Sequence, residues 1–520
     1  MTGELEVSPL NLKLRPLLVL LPCLLGTLPA VAGTCEDLAS LALPNTTVTL
    51  AQSVAAGEFS APGGRGGAPV SYKDLPAFCR VAATLRPTSD SDIKIEVWLP
   101  SSGWNGKFQA VGNGGWAGVI SYRELSEAVR KGYATASTDT GHVGGRGEFA
   151  LGHPEKLIDF GYRSEHEMTL RGKAIVNAFY GSAPKYSYWN GCSAGGRQAL
   201  KEAQMFPGDY DGIVAGSPGF DWSGRSAQAV RINQILENES ARLTPAHQQL
   251  LHNAVVAACD ANDGLKDGLI EDPTRCHFDP KELLCKGADS PSCLTAGQVE
   301  AARKIYSPVI NPRTGQELFP SLVPGTELGW AVLGAGPDPS AVMYDHYKYV
   351  VFKDPNWDWR TFNFDSDIQK SEQPENAVMN ATDPNLRPFF GHNGKLLLYH
   401  GWSDPNIAAL STIKYYNAVV DTMGGAAKAS NNVRLFLEPG MGHCGGGEGP
   451  NVFDKVGALE QWTEHGKTPE RIVASHSTAG KIDRTRPLCP YPQIAQYKGS
   501  GNIDDAENFV CKEVSTEAGR

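Results

Sequence analysis

The chain has 520 residues, of which 41% are hydrophobic and 20% are charged, and its formal net charge is −10 at pH 7. This acidic balance, with no concentrated lysine or arginine face, argues against nucleic acids and anionic membrane surfaces as partners. The length is too great for one simple core, so the chain forms either two domains or one large domain with an insertion.

Residues 1–32 are typical of a secretory signal peptide. Lys13 and Arg15 precede an apolar run at residues 16–28, and Ala30-Val31-Ala32 fits a small-x-small cleavage site. The apolar run is too short to span a membrane. We therefore expect an exported protein, secreted or periplasmic, without a membrane anchor.

Cysteine usage supports an oxidising compartment. Of the 11 cysteines, Cys23 lies in the leader segment, and the remaining ten form an even set, which indicates five disulfides in an exported chain. Spacing favours three of the pairs: Cys35–Cys79, Cys285–Cys293 and Cys489–Cys511. No C-x-x-C occurs, so a zinc site is disfavoured.

The first half of the mature chain alternates short β-like runs with glycine-rich turns. The runs are Ile93–Leu99, Lys107–Val111 and Ala134–Ser137. The glycine loop at residues 112–116 is either an ordinary tight turn or a source of bare backbone N–H groups that complete an oxyanion hole, with Gly114 as the donor. A helix-like segment at residues 165–180 leads into the next strand.

A glycine-flanked serine follows that strand. Residues 186–189 are β-formers, Gly191-Cys192-Ser193-Ala194-Gly195 makes a sharp turn, and a helix-compatible run continues to residue 205. This is typical of a nucleophile elbow, in which small neighbours expose Ser193 and the Ala194 amide is the first oxyanion donor. The pattern also fits an ordinary turn, and a similar pattern recurs around Ser217, so other parts of the chain must decide.

The alternation of strand-like and helix-like segments stops from about residue 221 to residue 394. Helix-like pieces occur at Ala227–Leu236, Pro245–Ala258 and Ala296–Ile305. Such a block between two α/β-like halves is interpreted as an inserted lid domain. Its aromatic residues either wall a pocket for a planar ligand or form the core of a small domain: Trp330, Trp357, Trp359, Phe362 and Phe364.

The alternation of strands and helices returns after residue 394. Buried-strand patterns occur at residues 395–399 and 433–437, and a helix is expected at residues 411–423 between them. Asp404 follows the first strand and His443 follows the second, which completes the order Ser, acid, His that this architecture requires. Singly, Asp404 could be a helix N-cap and His443 a loop residue. His142 precedes the serine and is in the wrong order.

Two cysteines sharpen this interpretation. Cys192 precedes the candidate nucleophile Ser193, and Cys444 follows the candidate base His443. If the three side chains meet, these cysteines come within disulfide reach, and their bond would fix the serine turn to the histidine loop.

Three carboxylates crowd one stretch of the insertion. Asp260, Asp263 and Asp267 lie within eight residues, which indicates either a solvated acidic turn or a Ca²⁺ site. The pattern is not an EF-hand, because Leu265 stands where glycine is required, although Glu271 occupies position twelve. Cys259 and Cys276 bracket the stretch, and a bridge between them would stiffen it.

Several long motifs resemble the tannase/feruloyl esterase family, which includes bacterial mono(2-hydroxyethyl) terephthalate hydrolases. They are W-N-G-K-F at 104–108, S-T-D-T-G-H at 137–142, Y-W-N-G-C-S-A-G-G-R-Q at 188–198, Y-D-G-I-V-A-G at 210–216 and Y-H-G-W-S-D-P at 399–405. Cys192-Ser193, Asp404 and His443-Cys444 are similar to the CS-D-HC arrangement of that family. The resemblance covers nearly the whole mature chain.

The resemblance implies an α/β-hydrolase core at residues 33–220 and 395–520 with a large lid at residues 221–394. It also implies a structural lid calcium held by the carboxylates of Asp260, Asp263 and Asp267 with the Leu265 and Leu269 carbonyls. No organic cofactor is expected.

The predicted function is hydrolysis of aromatic acid esters, feruloyl esterase-like, through an acyl-enzyme on Ser193. Ile407 is expected to border the pocket. Galloyl and terephthaloyl esters share the planar aryl acid and stay open as alternatives, as do a peptidase on the same fold and a non-catalytic polyphenol- or glycan-binding module.

Overall fold

A computed structural model describes residues 33–62, 71–333 and 344–513. The predicted signal peptide at residues 1–32 therefore lies outside the described residues. Nine strands form one large sheet: β1 (Thr46–Val54), β2 (Phe78–Leu85), β3 (Ile93–Pro100), β4 (Lys107–Val111), β5 (Ala134–Thr138), β6 (Tyr186–Cys192), β7 (Gly212–Gly216), β10 (Lys395–Gly401) and β11 (Val433–Glu438). The predicted α/β class is confirmed.

Strand order explains where functional residues can gather. The sheet runs β1-β2-β3-β5-β4-β6-β7-β10-β11, and the six strands from β5 to β11 are mutually parallel. Every residue of β7 and β10 is buried, as expected of strands covered by helices on both faces. The carboxyl ends of β4, β6, β7, β10 and β11 therefore share one edge of the sheet.

Twelve α-helices lie wholly within the described ranges. They are α1 (Tyr122–Arg130), α2 (Pro154–Ile158), α3 (Ser164–Tyr180), α4 (Ala194–Met205), α5 (Trp222–Leu236), α6 (Pro245–Cys259), α7 (Ala296–Ile305), α8 (Ser366–Ser371), α9 (Arg387–Gly391), α10 (Ala409–Thr422), α11 (Ala426–Ala429) and α12 (Lys455–His465). Thr244 and Thr295 start α6 and α7 with capping boxes, which satisfy the first free amides of those helices. None of the helices in the described residues is long and apolar enough to cross a bilayer.

The described part of residues 221–394 lies between β7 and β10 and adds no strand to the large sheet. It contains α5 to α9 and a small hairpin of β8 (Val309–Ile310) and β9 (Glu317–Phe319). Its helices enclose an apolar core that includes Leu251, Val255 and Trp330. Trp357, Trp359, Phe362 and Phe364 pack with Tyr347 in a second cluster, so these aromatic side chains form lid cores.

Two hairpins close the C-terminal part of the chain: β12 (Ile472–Thr478) with β13 (Lys481–Leu488), and β14 (Gln493–Tyr497) with β15 (Phe509–Glu513). All five predicted disulfides are confirmed. The pairs are Cys35–Cys79, Cys192–Cys444, Cys259–Cys276, Cys285–Cys293 and Cys489–Cys511.

Candidate active site

Ser193 stands at the turn between β6 and α4. Its backbone has φ 63° and ψ −121°, a conformation that a non-glycine residue adopts only when its surroundings impose it. Gly191 has no room for a side chain, since an added Cβ would lie 2.4 Å from the Gly195 carbonyl oxygen. The predicted serine elbow is therefore present, with Ser193 held at its tip.

The structure brings Ser193, His443 and Asp404 together from three strand ends. The Ser193 hydroxyl donates to His443 Nε2 at 2.9 Å, and His443 Nδ1 donates to Asp404 Oδ2 at 2.7 Å. The alternative serine, Ser217, is fully buried at the end of β7. His142 is also apart, because its Nε2 bonds the Trp116 carbonyl at 2.7 Å.

Asp404 is held as an anion. Its Oδ1 accepts the Asn406 amide at 2.8 Å and the Ile407 amide at 3.1 Å. Burial alone would raise the pKa of this carboxyl, but hydrogen bonds and charge from His443 and His400 outweigh burial and lower the pKa below its usual range. A charged Asp404 can fix the His443 tautomer and stabilise its protonated form.

Sequence reasoning missed two residues around this carboxylate. His400 Nε2 lies 3.1 Å from Asp404 Oδ2 and 3.0 Å from the Ile407 carbonyl oxygen, while its Nδ1 accepts from Thr412 at 2.8 Å. Arg225, from the lid helix α5, donates to the Asn406 carbonyl at 3.2 Å. The H-x-x-x-D spacing that starts at the end of β10 was the one available signal for His400, and only the fold could have revealed Arg225.

The predicted oxyanion donors flank the serine. Ala194 is the first residue of α4, where the amide has no partner inside the helix. In the loop after β4, the Asn113 amide donates to Gln198 Oε1 at 2.9 Å and the Gly112 amide to the Asn190 carbonyl at 3.2 Å. Among the described residues neither the Gly114 amide nor the Gly115 amide has a protein acceptor, and both residues line the groove beside Ser193, so both amides are left for a substrate.

The two sides of Ser193 differ in character. On the side of the loop after β10, Ile407 is buried, and its Cδ1 lies 3.3 Å from the Cβ position of Gly219, whose amide donates to the Ser193 carbonyl. On the other side, a groove of about 560 Å³ borders Ser193 and His443. Its polar lining includes Arg123, Glu124, Glu127, Tyr399 and Lys455.

A disulfide joins the serine turn to the loop that carries His443. Cys192 and Cys444 have Cα atoms 6.0 Å apart, within the usual range for a bridge. Residues 439–450, called here the histidine loop, include Cys444 with φ 64° and are rich in glycine. The bond adds a covalent constraint at a place where few side chains are available for packing.

The acidic stretch of the lid is a compact loop. Asp260 accepts the Asp267 and Gly268 amides at 3.1 Å, and Asp263 accepts the Leu265 amide at 2.9 Å. Burial, together with the charges of Asp267 and Asp260, raises the pKa of Asp263. Asp267 also pairs with Arg486, which neutralises part of the charge. These oxygen donors fit a hard cation such as Ca²⁺.

A second group of potential metal ligands, outside this loop, has its own counter-ion. His166, Glu202 and Asp209 gather beside α4, with the His166 Nδ1 to Asp209 Oδ2 distance at 2.6 Å. Lys173 contacts the Asp209 carbonyl and supplies positive charge. Burial and the Asp209 charge raise the pKa of Glu202 well above its usual value, and neither Glu202 carboxylate oxygen has a hydrogen-bond partner among the described residues.

Comparison with known proteins agrees with this geometry. The family model described as "Tannase and feruloyl esterase" matches residues 79–512. An uncharacterized esterase of Xanthomonas campestris is 40% identical, covering 91% of this chain and 90% of the relative, and a probable feruloyl esterase B-2 of Aspergillus terreus is 35% identical, covering 83% and 86%.

A solved structure extends the likeness to the fold. Feruloyl esterase B from Aspergillus oryzae superposes with a TM-score of 0.86 at 31% identity, covering 92% of this chain and 99% of that one. The predicted hydrolase fold is thus confirmed. The chain belongs to the tannase and feruloyl esterase family of carboxylic ester hydrolases.

Proposed function

We propose that the protein hydrolyses esters of aromatic carboxylic acids, in the manner of a feruloyl esterase, with Ser193 as nucleophile. The observation that carries the proposal is the continuous hydrogen-bonded chain from Ser193 through His443 to Asp404. A binding module has no use for such a chain, because its purpose is to make a serine hydroxyl reactive.

The reaction follows from the geometry. His443 Nε2 takes the proton as Ser193 Oγ attacks the ester carbonyl, and the Gly114 and Ala194 amides stabilise the oxyanion. The tetrahedral intermediate collapses, His443 gives its proton to the departing alkoxide, and an acyl-serine forms. Water, deprotonated by His443, then attacks the acyl-serine and releases the acid.

The two sides of Ser193 suggest where each half of the ester lies. The leaving oxygen must come within reach of His443 Nε2 to receive a proton, so the alcohol occupies the groove on the histidine side. The aryl acid then lies on the opposite side of Ser193, against Ile407. Feruloyl esters are the favoured substrates, and galloyl and mono(2-hydroxyethyl) terephthaloyl esters are the second candidates.

A substrate panel tests the proposal. We expect hydrolysis of methyl ferulate and no release of p-nitroaniline from peptide anilides, which separates the enzyme from a peptidase. Ser193→Ala should lower kcat for methyl ferulate by at least about 10³-fold, with the melting temperature nearly unchanged. Methyl gallate and mono(2-hydroxyethyl) terephthalate compare the alternative acids. Turnover of Ser193→Ala near the wild-type rate would contradict the assignment.

We also propose that the lid loop holds one structural Ca²⁺. The ligands would be the carboxylates of Asp260, Asp263 and Asp267 and the carbonyls of Leu265 and Leu269. Crowded acidic oxygens, the raised pKa of Asp263 and the Cys259–Cys276 bridge support a bound cation. When bound, the ion would neutralise this charge and stiffen the loop.

Calcium removal should destabilise the protein. A ligand present at 100 times its Kd stabilises the native state by about 2.7 kcal/mol, so EDTA should lower the melting temperature and added Ca²⁺ should restore it. Asp263→Asn should abolish this response. The control is Asp279→Asn, an exposed cap that bonds Arg303. A melting temperature that is insensitive to EDTA, with no calcium found by elemental analysis, would refute the site.

The five disulfides support export to an oxidising compartment. Together with the leader-like residues 1–32, they lead us to propose a secreted or periplasmic location. Protein isolated from the culture medium should therefore have no free thiols. After full reduction, the same protein should have ten free thiols per chain.

A further inference from the structure

The histidine loop is poorly held by its own side chains. Six of its twelve residues are glycine, and Gly440, Gly446 and Gly447 have positive φ values. Backbone bonds close it on itself, including the Glu448 amide to the Gly440 carbonyl at 3.0 Å. The Cys192–Cys444 bond fixes its middle, and a bond from its return segment to the lid would fix a second point.

A lid histidine supplies that attachment. His252, on α6, lies between two carboxylates: its Nδ1 is 2.9 Å from Glu327 Oε2, and its Nε2 is 2.9 Å from Glu448 Oε2. Glu327 belongs to the lid and Glu448 to the histidine loop. We propose that His252 is a positioning residue for catalysis, which tethers the histidine loop to the lid through these two hydrogen bonds.

The two ends of the bridge differ in strength. Glu327 is fully buried and also accepts the Tyr306 hydroxyl at 2.5 Å and the Gly325 amide at 2.7 Å. The Glu448 side chain is 55% exposed, and its carboxylate has water as an alternative partner. Breaking the hydrogen bond to Glu448 therefore costs less free energy than breaking the hydrogen bond to Glu327.

The protonation state of the imidazole controls both bonds. Two ionised carboxylates accept only, so both ring nitrogens must donate and the ring must be charged. Burial opposes this charge, but the hydrogen bonds to Glu327 and Glu448 outweigh it and raise the pKa of His252 to about 9. Above that pH the neutral ring donates once, keeps Glu327 and releases Glu448.

Among the described residues, the hydrogen bonds of the ring go to Glu327 and Glu448. Helix α6 has no acidic or basic residue besides His247 and His252, and His247 bonds Thr244 and Gln298 instead. Tyr306, beyond α7, donates to Glu327. The folded pKa is above the unfolded one, so the bridge stabilises fully below about pH 6.5 and is lost as pH rises through about 9.

The test is the pH dependence of ester hydrolysis, so the inference rests on the proposed function. For wild type, kcat for methyl ferulate should fall with a midpoint near pH 9 while KM changes little, because the loop that carries His443 loosens and the acyl pocket does not. Glu448→Gln replaces an acceptor-only carboxylate with an amide that can also donate to the neutral ring, so the fall in kcat near pH 9 should disappear.

His252→Gln should lose the alkaline limb and show a kcat lower by about tenfold at pH 7, with KM within about twofold. The control is His476→Gln, whose imidazole bonds Asp483 at 2.7 Å on the β12–β13 hairpin. It should reproduce the wild-type profile. NMR titration of His252 gives an independent reading, with an expected midpoint near pH 9.

The outcomes separate the two proposals. If every variant is active and both Glu448→Gln and His252→Gln keep the wild-type alkaline limb, the tether is wrong and the esterase assignment stands. If wild type hydrolyses no ester, the proposed function fails, and a His252 midpoint near 6.5 by NMR would then reject the bridge separately. Should His252→Gln fold poorly, the half-exposed Glu448→Gln decides.

Discussion

Asp404 is the most enclosed residue of the catalytic chain, and its neighbours determine how His443 is held. Two backbone amides bind one carboxylate oxygen, and His443 and His400 share the other. His400 is fully buried and bridges Asp404 to the Ile407 carbonyl. The orientation of the acid is thus fixed by a second histidine that never reaches substrate.

Removing that second histidine should impair catalysis. His400→Phe keeps the volume but leaves Asp404 without one buried donor, which should lower kcat by about 10- to 100-fold with little change in KM. Thr412→Val is the matched control, because it removes the partner of the far ring nitrogen. Similar kcat values for the two variants would mean that His400 does not act through Asp404.

At the scale of elements, the serine elbow and the histidine loop behave as one unit. The elbow is strained at Ser193, and the loop is rich in glycine, so neither holds its geometry by packing alone. The Cys192–Cys444 bond joins them, while His252 and Arg225 connect the lid to the loops that carry His443 and Asp404. The lid therefore contributes to catalytic geometry as well as covering the site.

Loss of the Cys192–Cys444 bond should affect both activity and stability. The double variant Cys192→Ala, Cys444→Ala should lose about 2–4 kcal/mol of unfolding free energy and about 10- to 100-fold in kcat. The control pair, Cys285→Ala with Cys293→Ala, opens a short lid loop of separation 8 and should leave kcat unchanged. Equal kcat in the two double variants would contradict a catalytic role for the bond.

The strand ends were the most predictable elements. The apolar runs at residues 395–399 and 433–437 became β10 and β11, and the Ser193, Asp404 and His443 positions followed from them. The lid was harder, because its contacts depend on how irregular segments fold back on each other. His252, Glu327 and Glu448 are 75 to 196 residues apart in the chain, and no local pattern links them.

At the scale of the whole molecule, burial of acidic groups links stability to pH. Asp139 is buried after β5, where its Oδ1 accepts the Lys94 amide at 2.8 Å and the Gly141 amide at 2.9 Å. Burial raises the pKa of Asp139 to about 7 despite these bonds. The folded protein therefore binds a proton that the unfolded chain releases near pH 4.

The sign of this effect gives a stability prediction. A raised folded pKa means that the Asp139 contribution is present below about pH 4 and is lost as pH rises through about 7. Asp139→Asn keeps both amide bonds but has no carboxyl group to titrate. Between pH 5 and pH 8 the variant should therefore lose on the order of 2 kcal/mol less unfolding free energy than wild type. Calorimetry measures the unfolding free energy of each variant against pH. The control is Asp505→Asn, which changes an exposed acid that also accepts a backbone amide. Parallel curves for wild type and Asp139→Asn would be the contrary result.

The span of one covalent bond also bears on the order of biogenesis. Cys192 and Cys444 are 252 positions apart, so a chain threaded amino end first through an export channel presents the serine turn long before its sulfur partner. The bond can close only when nearly the entire polypeptide has crossed and an oxidant is present. Under the proposed export, copies retained in a reducing interior would lack this disulfide, and only exported molecules would be fully active.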